Sequence, residues 1–173
     1  MGRWRKTLAG RKYLVGIEVR LIIVPTKFVV GKMIEHEIRR TVTEADNVWF
    51  CAATCNSARI HVDADYCAAT EFKKPLVNSI FTLGLVIGLS VQDTTFGTTV
   101  ANLGMKEVEF PKPVFAGDTV RSRTTVMAAR ASRSRPTAGI VTLLHEGRNQ
   151  RDEVVCRCVR NALMLRASTG GSR

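Results

Sequence analysis

Aromatic side chains are scarce in this chain, 6% of 173 residues, with two Trp and two Tyr. Nucleic-acid-binding domains usually add a recognition motif or interleaved aromatics to their basic residues. Neither is found here, so the formal charge of +11 does not by itself indicate a nucleic-acid partner. Long hydrophobic runs are missing as well. Leu21–Val24 is far too short for a bilayer, and the apolar stretch 76–91 is broken by Asn78, Ser79, Thr82 and Ser90, which suits a buried helix rather than a membrane span. No CxxC pair occurs among Cys51, Cys55, Cys67, Cys156 and Cys158, and their odd number fits no disulfide framework. Without paired CxxC or His ligands no zinc site is expected either, and buried small thiols are the simpler account. Cys51 and Cys55 are expected on one helix face, and Cys156 and Cys158 on one strand face. Acidic residues are rare at the two ends: residues 1–20 hold Glu18 against six bases, and 121–173 hold Glu146, Asp152 and Glu153 against eleven. Such a distribution implies a solvated basic surface, with attraction of an anionic ligand as the functional alternative.

A hydrophobic share of 45% in a chain of this length is enough for one domain with a continuous core. Residues 1–12 are rich in Arg and Lys without acid, as in a transit peptide, while Arg20 interrupts the apolar run that a secretory signal needs. The expected organisation is a basic arm over 1–24, a single domain over 25–166 and a tail over 167–173, in a cytoplasmic protein. Ile34–Val42 alternates as a strand does. Thr43-Glu44-Ala45-Asp46 then has the form of a helix start, with Thr43 as N-cap and acids in the first turn. That helix is expected through Trp49, Phe50 and Ala53, followed by an irregular stretch 55–61 and a short helix near Asp63. Val77 to about Val91 predicts a long buried helix, whose Gly84 and Gly88 would admit a closely packed neighbour. Thr98–Val108, Thr119–Ala131, Ala138–Asn149 and Glu153–Leu165 predict four long strands, separated by turn residues such as Pro111-Lys112-Pro113 and Gly117-Asp118. One helix followed by four strands packs most simply as an α+β hotdog fold, an antiparallel sheet wrapped around one central helix. His36 and His145 fall in strand-like stretches and are read as structural; Asp118 is read as a turn residue.

The segment TEADNVWFCAATCNSARIHVDADYCAATEFKKPLVNSIFTLGL, with FAGDTV and SRSRPTAGIV further on, resembles the MaoC-like dehydratases over roughly residues 34–165. This family includes (R)-specific enoyl-CoA hydratases, and the nearest-looking branch acts on mesaconyl-CoA or itaconyl-CoA. The resemblance implies reversible hydration of an enoyl-CoA by a hotdog homodimer, or a higher assembly of dimers, with the acyl-CoA tunnel at the subunit interface. It implies no cofactor, since coenzyme A arrives as part of the substrate, and no metal. The family's motif places an acidic residue five positions before a histidine, with asparagine usual at the first position in this branch; here these positions are Asn56 and His61. Related sequences of this branch carry Asn-Pro-x-Pro-Leu-His, whereas this chain reads Asn56-Ser57-Ala58-Arg59-Ile60-His61 and lacks both prolines that would stiffen the loop.

The implied chemistry needs a base for the attacking water, an acid for C2 of the thioester and donors for the developing enolate. Imidazole serves the first two near neutral pH. Asn56 can hold water without relaying a proton. Asn78 and Ser79, at the start of the long helix, correspond to the oxyanion position, where backbone N–H groups and the helix dipole favour negative charge. Arg59, Arg133 and Arg135 are candidate contacts for coenzyme A phosphates or ordinary surface cover. Two rivals share the fold: a module that binds an acyl-thioester without turning it over, and a thioesterase. The latter would want a carboxylate on the long helix, and 77–88 has none.

Overall fold

The computed structural model describes residues 28–166, so the expectations for the basic arm (1–24) and the tail (167–173) lie outside the described residues. Nine elements follow one another: β1 (Met33–Thr41), α1 (Glu44–Ala53), α2 (Arg59–Val62), α3 (Ala64–Ala68), α4 (Ser79–Ser90), β2 (Thr99–Glu109), β3 (Thr119–Ala131), β4 (Ala138–Arg148) and β5 (Val154–Leu165). The strands form one antiparallel sheet in the order β1-β3-β4-β5-β2. The architecture is the expected hotdog, with α4 against the inner face of the sheet.

Period-two alternation decides which side of each strand meets α4. Val120, Ser122, Thr124 and Val126 of β3 are buried, as are Val141, Leu143, His145 and Gly147 of β4 and Cys156, Cys158 and Arg160 of β5. From α4 the buried residues are Thr82, Leu83, Val86, Leu89 and Ser90. The helix comes very close at Gly147, where an added Cβ would lie 2.2 Å from Cγ2 of Val86. The outer face carries charge instead. Glu35, Arg123, Glu146, Arg157 and Glu109 stand in register across all five strands, alternating in sign. Ion pairs join Arg123 to Glu35, Arg157 to Glu146, and Arg148 to Glu146 and Asp152. Much of the basic charge of the C-terminal half is therefore spent on a solvated, paired surface.

Several boundaries differ from the sequence reading for identifiable reasons. α4 starts at Ser79 rather than Val77, because Val77 N–H donates to Val114 O and the Asn78 side chain caps Ile80 N–H at 2.9 Å. α1 keeps its predicted Thr43–Asp46 capping box and its expected end at Ala53, but Cys55 beyond it turns left-handed (φ 55°) and is exposed, so it does not share a helix face with the buried Cys51. Enclosure of α4 is one-sided: the sheet covers one flank, while Ile80 is 56% exposed and Gly84 and Gly88 face open space. The close packing expected at those two glycines is absent among the described residues. Strand β2 is an edge with Val100, Leu103, Met105 and Val108 each more than a third exposed. No helix among the described residues is long and apolar enough to cross a membrane.

The three histidines separate by environment. His36 and His145 lie in β1 and β4, both buried, and share one hydroxyl: His36 Nε2 and His145 Nδ1 lie 2.8 and 2.9 Å from Thr124 Oγ1. His36 Nδ1 continues the chain to Asp93 at 2.6 Å. His61 is half-buried and borders a mainly apolar cavity, whereas His36 reaches only a shallow, charged surface depression with Glu35, Arg121 and Arg123.

Candidate active site

His61 is held by a short, heavily stitched segment. Asn56 Oδ1 accepts from Ala58 N–H at 3.0 Å, the hydrogen bond of an Asx turn, and Asn56 N–H donates to Cys51 O at 2.8 Å. One helical turn, α2, follows, and Asp63 caps α3 through Tyr66 N–H. Arg59 pairs with Asp63 at 2.7 Å and stacks over Tyr66. These bonds rigidify the loop where the two prolines of the related motif are missing. Leu76 N–H then donates to Ile60 O at 3.0 Å, tying α2 to the segment that leads into α4.

The imidazole of His61 is half-buried, with Nδ1 3.0 Å from Leu76 O. A carbonyl oxygen can only accept, so Nδ1 carries the hydrogen and Nε2 is left as a lone-pair acceptor. His61 borders a cavity of about 440 Å³ with Phe72, Ser79, Thr82, Phe110 and Lys112 among its other walls. A volume of this size is in the usual range for a small-molecule site, and its walls are mainly apolar, with few polar groups that converge.

Ser79, the first residue of α4, lies on the same wall system as His61. Its N–H has no acceptor among the described residues. Asn78 is different. Its N–H donates to Asn47 Oδ1 at 2.8 Å and its Oδ1 caps Ile80, so both groups are engaged and the residue is buried. Of the two residues expected at the oxyanion position, Ser79 is the one that lines the cavity and whose backbone N–H has no acceptor among the described residues.

Asn56, Arg59, Arg133 and Arg135 do not line this cavity. Arg133 and Arg135 are exposed in the β3–β4 hairpin, whereas Val155 of the cavity wall lies at the opposite end of the sheet. A strand of 13 residues separates those ends by roughly 40 Å, so within one chain these arginines are remote from His61. Lys112, read from sequence only as part of a turn, is the basic side chain at the cavity. Phe72 and Phe110 were not singled out either, because an aromatic in a loop has no pattern that marks it as a wall. Asn47 also carried no signal in the sequence; it is buried at the centre of the hydrogen bonds around His61 and Asn78. Among the described residues no group of three His, Cys, Asp or Glu side chains is placed to hold a metal ion.

A family described as MaoC like domain matches residues 26–149. The mesaconyl-CoA hydratase of Cereibacter sphaeroides is 30% identical over 139 residues, 80% of this chain and 40% of that protein. The solved structure of the monoamine oxidase regulatory protein from Archaeoglobus fulgius has a TM-score of 0.73 at 30% identity, covering 81% of this chain and 92% of that one. The (R)-hydratase from A. caviae involved in PHA biosynthesis has a TM-score of 0.62 at 25% identity, covering 79% of this chain and 96% of that one. The chain thus spans well under half the length of the mesaconyl-CoA hydratase, and its match covers nearly all of the two solved chains.

Proposed function

This chain belongs to the MaoC-like domain family, and on that premise we propose that it is a hydro-lyase, adding water reversibly across the double bond of an enoyl-CoA thioester. The observation that carries the reading is the pairing, on one cavity, of a histidine whose Nε2 is bare with a helix N-terminus whose Ser79 N–H is free. In the hydration direction, His61 Nε2 takes a proton from water as the water oxygen bonds to C3. Electrons of the double bond move onto the thioester oxygen, where the Ser79 N–H and the α4 dipole stabilise the enolate. The imidazolium then protonates C2, restoring His61, so that one water is added and nothing else is consumed. Asn56 does not line the cavity, so its role in holding the water is taken from the family motif alone; its amide nitrogen has no acceptor among the described residues. No cofactor enters this scheme, and coenzyme A belongs to the substrate.

The 30% identity to a mesaconyl-CoA hydratase supports a short branched or dicarboxylic acyl group, such as mesaconyl or itaconyl. Lys112 at the cavity supports an anionic ligand. The exposed, apolar edge strand β2 and the open flank of α4 support a homodimer, or an assembly of dimers, in which a second copy covers them. A cytoplasmic location, consistent with five free cysteines, completes the proposal.

The test is a hydration assay over a panel of enoyl-CoA thioesters, including mesaconyl-CoA and itaconyl-CoA. His61→Ala should lower turnover by about 10²–10⁴-fold while thioester affinity changes little. Equal rates in the parent and His61→Ala proteins would remove His61 from the mechanism. Binding without hydration of any substrate would instead identify a thioester-binding module.

A further inference from the structure

We infer that Asn47 is a positioning residue that sets both the tautomer of His61 and the seat of the α4 N-terminus. This rests on the hydratase reading of the same cavity. Asn47 lies one turn into α1 and is 3% exposed. Its Nδ2 donates to His61 O at 2.8 Å and to Leu76 O at 3.0 Å, and its Oδ1 accepts from Asn78 N–H at 2.8 Å. A side-chain amide has two donor hydrogens and one acceptor oxygen, and all three are used. Its partners are 14, 29 and 31 residues away in sequence. One side chain therefore joins α1, the histidine turn and the approach to α4.

Leu76 O is the common point. It receives Nδ1–H of His61 at 3.0 Å and Nδ2–H of Asn47, so both of its lone pairs are occupied and its direction is fixed. The second bond from Asn47, to the carbonyl of His61 itself, fixes the backbone from which the imidazole projects. The third bond occupies Asn78 N–H and leaves Ser79 as the free donor at the cavity. Base and oxyanion donor are thus referenced to the same amide. Catalytic groups displaced by about 1 Å can lose on the order of 10²-fold in rate, so a group that spaces two of them should act mainly on kcat.

Aspartate at position 47 is the discriminating change, because it has nearly the same shape and keeps the acceptor for Asn78 N–H while removing both donors. It also sets a carboxylate against two carbonyl oxygens, which releases Leu76 O. In free histidine the Nε2–H tautomer is the commoner form, whereas the geometry here requires Nδ1–H at His61.

Nitrogen-15 spectra of the histidine side chains, recorded at about pH 8.5 where an ordinary imidazole is neutral, read this directly. The His61 signals are assigned by their loss in His61→Ala. The parent should show Nδ1 protonated and Nε2 bare. Asn47→Asp should shift His61 toward Nε2–H and lower kcat by about 10–100-fold, with KM changed less than threefold. Asn47→Gln, which retains both donors on a longer arm, should recover part of the tautomer signal and part of kcat. An Nε2–H tautomer at His61 in the parent would overturn the inference whether or not any variant folds. So would a folded Asn47→Asp protein with the parent tautomer, even if its activity were reduced. A parent with the Nδ1–H tautomer that hydrates no thioester would refute the hydratase reading and leave the positioning geometry standing.

Discussion

Acidification from pH 7 to pH 5 should destabilise this protein by about 2 kcal/mol through His145 alone. The side chain is fully buried in β4, with Nδ1 on Thr124 Oγ1 at 2.9 Å and no partner for Nε2 among the described residues. Burial, reinforced by the positive charges of Arg160 and of His36 when protonated, pushes its pKa from the ordinary 6.5 down to about 3. In the unfolded chain the imidazole takes a proton below the ordinary value, and in the folded chain it stays neutral until far lower pH. Between those values the unfolded state binds the extra proton, so stability rises with pH and falls on acidification. At pH 5 the chain is about 1.5 units below the unfolded pKa, worth roughly 2 kcal/mol at about 1.4 kcal/mol per unit, while the loss at pH 7 is negligible. For a domain of this size that is a fall of roughly 4–8 °C in Tm. The control is His145→Leu, which removes the titrating group but leaves Thr124 free to donate to His36 Nε2. Thermal or urea unfolding at both pH values should give a difference between pH 7 and pH 5 that is about 2 kcal/mol smaller in the variant, whatever its absolute stability. The same pH dependence in parent and variant would refute the assignment of this proton to His145.

Gly147→Ala should cost about 1–3 kcal/mol in unfolding experiments, because its Cβ meets a helical valine with one favoured rotamer. Adding Val86→Ala should return much of that loss, and strictly additive effects would show that the two do not touch. Asp118 accepts from Phe115 N–H, Gln150 and Arg151. Burial raises its pKa, but these bonds outweigh that effect and hold the carboxyl below the usual carboxylate range. Asp118→Asn should therefore lose roughly 1–3 kcal/mol near neutral pH, and the gap to the parent should close as pH falls below about 4 and through the lower folded value. A pH-independent gap would count against it. Asn56→Asp keeps the acceptor for Ala58 N–H but loses the amide donor. It should fold like the parent and hydrate thioesters less than tenfold more slowly, and loss of folding would mean the turn needs more than that one bond.

The order of elements was legible because each has a local cause. Thr43 and Asp46 make their capping box within four residues, and the four long strands after residue 98 show in alternation and in the turn residues between them. Both depend on neighbours in the chain, which a sequence displays. The boundaries that moved depend on distant partners. Val77 is withdrawn from α4 by Val114, 37 residues on, and no periodicity in 77–91 records that bond. Gly147 gave no sign in the sequence of the contact with Val86 that makes it the most tightly packed of the described glycines.

For the site, the motif spacing marked His61 and the helix start marked Ser79, since both are read from contiguous residues. That the two border one cavity, that Asn78 N–H is engaged while Ser79 N–H is free, and that Arg133 and Arg135 stand at the far end of the sheet follow from how strands and loops are brought together. The tautomer of His61 is the sharpest case. Residue type supplies an imidazole able to carry its hydrogen on either nitrogen, but which nitrogen is bare depends on a carbonyl 15 residues away, held in place by an amide from another helix.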